Sequence, residues 1–281
     1  MYYLIFSILC SVAVSILLKL SKKQGIAIEQ AVAVNYPTAA ICTFLLFKPN
    51  LSQNISVLLS EWFVLLPLAI LLPSVFIIMG KCVEQAGIAK SDAAQRLSLF
   101  LPIVSSFVIF DETLYAGKMI AVILAIIALF ALTYKPAHQA RQGRAAIWLL
   151  LGVWLGYGVI DILFKQLSKN TAMTTHLFAL FIAAGVLLLT YLIARKTQWT
   201  KQGILGGILL GLLNFGNIYL YLRAHQAYSS NPTIVFAAMN LGVITIGTLT
   251  GVFVFKEKIN KINILGIILA IIAIVCLFYL R

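Results

Sequence analysis

The chain has 281 residues, of which 62% are hydrophobic and 10% charged, and its 21 Lys and Arg outnumber 8 Asp and Glu to give a formal charge of +13. Globular domains carry about 25% charged residues, so a soluble fold would leave most of this apolar surface in water and is excluded. The positive excess does not mark a nucleic-acid binder, because the cations gather at the ends of apolar stretches, where they meet lipid headgroups.

Ten stretches reach the roughly 17 to 25 apolar residues that cross a hydrocarbon core. In chain order they are 2–20, 27–47, 62–80, 89–110, 115–134, 145–168, 172–194, 203–226, 231–255 and 261–280. They are continuously apolar and rich in Leu, Ile and Ala, whereas a membrane β-barrel alternates apolar and polar residues. Helices satisfy their own backbone in lipid, so the expected class is all-α, a polytopic membrane protein with ten transmembrane helices. The first stretch follows Met1-Tyr2-Tyr3-Leu4-Ile5, without a basic leader or an A-x-A cleavage site, and reads as a span rather than a removed signal. Cys10, Cys42, Cys82 and Cys276 lie in or beside spans without metal or disulfide spacing and read as small packing residues.

The first span ends at Lys19, and the third holds Pro67 and Pro73 and ends near Lys81. The fourth carries Ser91, Asp92, Gln95, Arg96 and Pro102, then ends at Phe110-Asp111-Glu112. Arg96 lies one to two turns inside; it either faces a cavity or pairs with Asp92 four residues earlier on the same face. In the sixth span Gly152 and Gly156 permit close helix approach, and Tyr157, Asp161 and Lys165 share a face at spacings of four. Asp161 is the candidate proton or cation site, against the alternative of a simple Asp161–Lys165 pair. Lys19, Lys81, Lys165 and Arg223, near span ends, are expected to snorkel. The eighth span combines Gly206, Gly207 and Gly211 with a stripe of Asn214, Asn217 and Tyr221, which either lines a path or bonds to neighbouring helices. Asn240 in the ninth span falls opposite Gln95 when the halves are aligned.

That alignment rests on an offset of 145, which sets Phe110-Asp111-Glu112 against Phe255-Lys256-Glu257 and Ile123–Ala128 against the identical Ile268–Ala273. The loop 135–144 then separates a first five-span half, 1–134, from a second, 145–281. An odd number of spans per half inverts the second relative to the first, as in many secondary transporters.

With Pro102 before a helix ending at Glu112, the counterpart at Glu257, and Lys19 and Lys165 closing the first helix of each half, the whole chain resembles the drug/metabolite transporter superfamily, EamA type. The first-helix Trp of that pattern is absent, and Pro102 sits closer than usual to Glu112. The resemblance implies two five-helix repeats and a secondary, non-ATP carrier in the bacterial cytoplasmic (inner) membrane, with substrates from amino acids to drugs and nucleotide sugars.

Competing classes lack their chemistry in the sequence. His138, His176 and His225 form no HExxH; Asp92, Asp111 and Asp161 are too scattered to hold magnesium against a diphosphate; and neither GxSxG nor a P-loop occurs. No cofactor or metal is expected. The expected activity is alternating-access exchange or export of a small polar metabolite, such as an amino acid or related carboxylate, with Gln95, Arg96, Tyr157, Asn214, Asn217, Tyr221 and Asn240 as the cavity and Asp161 and Lys165 as the coupling pair. Alternatives are a flippase or exporter of an amphipathic, lipid-linked or drug cargo, and an intramembrane enzyme. The expected partners are the bilayer, the solute and protons, in a monomer or homodimer. Loops after odd-numbered spans hold 12 Lys or Arg against 4 in even-numbered loops and the C-terminus, which puts the termini outside by the positive-inside rule. The family resemblance implies cytoplasmic termini, and the expectation leans to that orientation.

Overall fold

In the computed structural model the described residues are 1–21, 25–49, 59–86, 88–134, 144–169, 172–254, 256 and 260–279, and they contain helices and no strand. The helices are α1 (Tyr2–Ser21), α2 (Ile28–Phe47), α3 (Trp62–Ala86), α4 (Ile88–Leu97), α5 (Phe100–Val108), α6 (Ala116–Thr133), α7 (Arg144–Ser168), α8 (Met173–Ala194), α9 (Lys201–Ala227), α10 (Pro232–Phe253) and α11 (Lys261–Tyr279). Seven are individually long and apolar enough to cross a membrane, and Tyr2–Leu18, Ala93–Val108 and Ala116–Leu132 are shorter apolar segments. The chain is an all-α polytopic membrane protein.

Most expected spans match a helix to within a few residues; the third runs on to Ala86. The fourth differs, because 89–110 is not one helix: it breaks at Ser98-Leu99 into α4 and α5. Pro102 is the cause. It has no N–H for the Ser98 carbonyl and its ring crowds that carbonyl, so the ladder reorganises one turn earlier. Leu101 N–H donates to Ser98 O (3.0 Å) and Leu99 N–H to Arg96 O (3.2 Å), both tighter turns than α.

The chain forms two compact units, each of two separate segments: Met1–Ile77 with Leu163–Gln226, and Ile78–Ile162 with Ala227–Arg281. In the first unit, α9 lays Gly203, Gly207 and Gly211 along α2. A Cβ on Gly207 would lie 2.8 Å from Ala31 O, and one on Gly211 2.8 Å from Asn35 O. No side chain fits there, so the glycines set the separation of the two backbones. At one end of this seam the Gln30 side chain, 4% exposed, donates to Gln198 O (2.5 Å) and accepts from Thr200 N–H (2.9 Å). Thr200 Oγ1 accepts from Gly203 N–H (3.1 Å) and caps α9. In the second unit, α11 packs along α6: Gly266 abuts the Leu132 backbone, and Asn263 Nδ2 donates to Ala131 O, Leu132 O and Tyr134 O, covering the end of α6.

These contacts fix helix directions within each unit. Gln30, Val34 and Thr38 meet Gly203, Gly207 and Gly211 in rising order, so α2 and α9 are parallel. Tyr36 meets Gly185 while Phe44 meets Phe178, so α2 and α8 are antiparallel. Tyr3 meets Arg223 while Ser7 meets Asn217, so α1 and α9 are antiparallel. In the second unit Leu97 and Leu101 meet Trp154 and Gly158 in rising order, so α5 runs parallel to α7. Such alternation is what successive crossings require when α4 and α5 together count as one.

Gly207→Val places two methyl groups where even a Cβ meets backbone, and overpacking of this kind costs about 1–3 kcal/mol or more. Thermal unfolding in detergent is expected to show a clearly lowered midpoint for Gly207→Val. Gly247→Ala, with nothing within 4 Å of the added Cβ, should leave it unchanged or slightly raised.

Candidate functional site

In the second unit the α4–α5 break organises the polar groups. Past the break Leu97 O has lost its usual donor, since Leu101 N–H has moved to Ser98 O. Trp154 of α7 replaces it, its Nε1–H donating to Leu97 O at 3.0 Å. One turn later Gly158 sits so close to α5 that a Cβ would fall 2.8 Å from Leu101 Cβ. Ser98 Oγ donates to Gln95 O (2.6 Å), and Ser105 and Ser106 both donate to Pro102 O (2.8 and 2.9 Å), so hydroxyls line the reorganised turn.

Gln95 and Arg96, the last turn of α4, are half-buried at this break. Tyr157 and Asp161 are half-buried on α7, three residues after Trp154 and Gly158 respectively, on the side that packs against α4–α5. Asn240, half-buried in the middle of α10, donates to its own helix at Phe236 O (3.1 Å). The second unit thus holds five candidate residues: Gln95 and Arg96 end α4 just before the break, Tyr157 and Asp161 lie on α7, whose Trp154 and Gly158 meet Leu97 and Leu101, and Asn240 lies on α10. The Asp92 side chain and Glu257 lie outside the described residues, and with them the Asp92–Arg96 pairing and the second Phe-x-Glu anchor; the side chain of Lys19 does too.

The first Phe-x-Glu anchor is a structural junction. Asp111 is left-handed (φ 52°), which Asp tolerates, and turns the chain so that Glu112 enters the interior. Glu112 Oε1 is 3.0 Å from Lys118 Nζ, with both side chains sealed from solvent. Its Oε2 accepts from Thr233 N–H (3.0 Å) and Thr233 Oγ1 (2.6 Å) at the first turn of α10, where a carboxylate also complements the helix dipole. Lys118 Nζ also donates to Thr113 O (2.8 Å) and Asn231 Oδ1 (3.2 Å). Glu112 therefore ties the start of α6 to the start of α10. Lys118, Thr233 and Asn231 were not foreseen; their only signal is three polar residues just inside apolar runs.

In the first unit the α9 stripe divides. Asn214 Nδ2 donates to Asn35 Oδ1 on α2 (3.1 Å), and Ser7 Oγ on α1 reaches Asn217 Oδ1 (2.9 Å) and Asn217 O (3.0 Å). Asn35 and Ser7 are fully buried and were missed as single polar residues in apolar helices. Tyr221 is buried between Phe164 and His225, both edge-on at 6.4 and 4.7 Å.

Lys165 corrects an expectation. It does not snorkel: its side chain is 1% exposed and Nζ points to His225 O at 3.4 Å inside the first unit. The cause is depth, since α7 continues to Ser168 and the residues flanking Lys165, Phe164 and Leu167, are themselves core. Arg223, near the end of α9, donates to Gln226 Oε1 (3.0 Å) and Tyr3 OH (3.3 Å), and Lys81 is exposed.

Breaking a buried ion pair from one side leaves an uncompensated charge and costs about 3–5 kcal/mol. Lys118→Met should therefore lower the unfolding midpoint strongly, and Lys118→Met with Glu112→Gln should recover much of the loss, because Gln still accepts from Thr233. Trp154→Phe should cost about 1–3 kcal/mol by orphaning Leu97 O. Trp148→Phe, at a side chain 72% exposed, serves as the neutral comparison.

The model of the EamA-like transporter family matches residues 144–279. An uncharacterized protein of Haemophilus influenzae (strain ATCC 51907 / DSM 11121 / KW20 / Rd) is 53% identical over 293 residues, covering 100% of this chain and 98% of its own length. A solved crystal structure shares the fold at a TM-score of 0.70 and 13% identity, covering 98% of this chain and 94% of its own. Residues 144–279 of this continuously apolar, all-helical chain therefore belong to the EamA-like transporter family.

Proposed function

We propose that the chain is a secondary carrier of the bacterial cytoplasmic membrane that moves a small polar solute, such as an amino acid or related carboxylate, by alternating access, working as exporter or exchanger. The observation that carries this reading is the α4–α5 break in the second unit. Irregular backbone at membrane depth is tolerated only where protein buries it or a wet cavity meets it, and discontinuous helices are where carriers place their sites. Here Gln95 and Arg96 immediately precede the discontinuity, and α7, which carries Tyr157 and Asp161, packs on it through Trp154 and Gly158. A guanidinium presents donors suited to a carboxylate, and Asp161 is the group able to carry a proton.

The two-repeat reading has independent support in the helix bounds. At the offset of 145, α2 (Ile28–Phe47) falls on α8 (Met173–Ala194), α6 (Ala116–Thr133) on α11 (Lys261–Tyr279), and the α4–α5 pair on α10. The counterparts α2 and α8 pack antiparallel in the first unit, and α6 and α11 do so in the second, as inverted five-helix halves 1–134 and 145–281 would. Residues 135–143 of the connection lie outside the described residues.

One observation favours an amphipathic cargo as a second reading. On the first unit a cleft of about 410 Å³ is lined by Pro37, Ala40, Ile41, Phe44, Leu45, Phe178 and Ile182, with no charged or polar side chain. Its rim is exposed (Ile41 57%, Leu45 66%), so it opens toward hydrocarbon.

Proteoliposome uptake of radiolabelled amino acids and carboxylates, with and without an imposed pH gradient, tests the carrier reading. Arg96→Gln is expected to reduce carboxylate uptake at least tenfold, in line with the loss of a charge-assisted contact. Asp161→Asn is expected to abolish the pH-gradient dependence of uptake. Full retention of that dependence would remove Asp161 from the coupling, and uptake only of amphipathic probes would favour the second reading.

A further inference from the structure

Asn214 stands at the middle of the 27-residue α9, and Asn217 one turn further on the same face. At that depth an amide costs free energy unless it meets a partner or a wet cavity. Each of the two has only half of its amide engaged. Asn214 donates through Nδ2 to Asn35, which leaves its Oδ1; Asn217 accepts at Oδ1 from Ser7, which leaves its Nδ2. These two remaining atoms bond to no other group of the described residues, and neither is among the atoms sealed from the surroundings. Both side chains are half-buried, so the atoms are reachable.

The groups that hold the two amides are not reachable. Ser7 is 0% and Asn35 3% exposed, and each sits on a different helix packed on α9. Glycines 203, 207 and 211 lock α9 to α2 just before Asn214, so Asn35 has little freedom to withdraw. The result is a fixed acceptor and a fixed donor, separated by three residues or about 4.5 Å of helix rise. A pair used only to glue helices would have both ends of each amide turned to protein.

We infer that Asn214 Oδ1 and Asn217 Nδ2 form a solute-binding subsite for an uncharged amide edge, a donor and acceptor on neighbouring atoms, as in a carboxamide, ureide or lactam. An ammonium or carboxylate would find only dipoles here, whereas an N–H next to a C=O satisfies both atoms at once. A site built to hydrogen-bond a solute rejects analogues that lack the group, because its own polar atoms are then left unpaired. Ser7 and Asn35 are positioning residues in this arrangement. The inference rests on the carrier reading and replaces a carboxylate with an uncharged amide as the group recognised at this point of the first unit.

The test uses the full chain in nanodiscs, with binding of nicotinamide, uracil, N,N-dimethylnicotinamide and glutamate read by thermal shift and by titration. Nicotinamide or uracil is expected to raise the unfolding midpoint, and N,N-dimethylnicotinamide, which has no N–H, is not. Asn217→Asp, which keeps the acceptor for Ser7 and removes the donor, should weaken nicotinamide about tenfold or more. Ser7→Ala should weaken it less, with the unfolding midpoint of the empty protein measured alongside. If Asn217→Asp proves unstable, the nicotinamide and dimethyl pair on the unaltered protein decides alone. Equal binding of that pair, binding of glutamate only, or binding of none overturns the subsite, and the glutamate result leaves the carrier reading standing. Binding of nicotinamide with no exchange of labelled nicotinamide in proteoliposomes supports the subsite and overturns the carrier reading for that solute.

Discussion

Hydrocarbon offers no hydrogen-bond partner, and nearly every feature of this chain follows from that. The backbone is driven into helices, and each polar side chain that interrupts an apolar run must find its match inside the protein. The matches are visible one by one. Glu112 and Lys118 neutralise each other and hold the first turn of α10. Gln30 gathers the turn before α9. Trp154 supplies Leu97 O with the donor it lost when the Leu101 N–H turned to Ser98 O. None of these groups is near a large energy gain in itself, since interhelical hydrogen bonds in membranes average about 0.6 kcal/mol. Their weight lies in the penalty for leaving any of them unmatched.

The same constraint separates scaffold from site. A buried polar group that protein charges and donors enclose has done its work in folding, as Glu112 has between Lys118 and Thr233. A polar group with a position left over and within reach carries a remaining demand. Asn214 and Asn217 belong to the second kind, held from behind by Asn35 and Ser7 while one amide end of each stays available. The glycine seam of α9 and the amide stripe lie on one face of one helix, so the feature that brings α2 close is the one that orients Asn35 toward Asn214. Packing and recognition are here a single arrangement.

Much of this was legible in the sequence. Ten apolar runs gave the helix positions closely, because long continuous apolarity has few other meanings in a chain with 10% charge. Pro102 could be recognised as a disturbance, although the split into two helices depended on how the freed carbonyls would be satisfied, and the donor, Trp154, is 57 residues away. Gly207 and Gly211 announced close approach without saying to what. The burial of Lys165 is not legible in the sequence, because distance from a span end is a property of the chain whereas burial depends on what packs around the side chain. Ser7, Asn35, Gln30 and Lys118 were passed over for a similar reason: one polar residue in an apolar helix has no pattern, and its meaning appears only with its partner. Asn214, Asn217 and Tyr221 were noticed because three at helical spacing make a stripe.

The parallel and antiparallel relations within the units connect the local chemistry to the transport reading. A single helix split at Ser98-Leu99 must count as one crossing for α2 to run parallel to α9. Two full crossings there would reverse every later helix relative to the earlier ones. The break therefore does not add a span; it interrupts one, and leaves reorganised carbonyls, serine hydroxyls and the Gln95–Arg96 turn inside the membrane. An uninterrupted helix would have been simpler to stabilise in lipid. A chain that instead places a proline there, and keeps a tryptophan to repair the carbonyl and a glycine to let α7 come close, is built around the interruption.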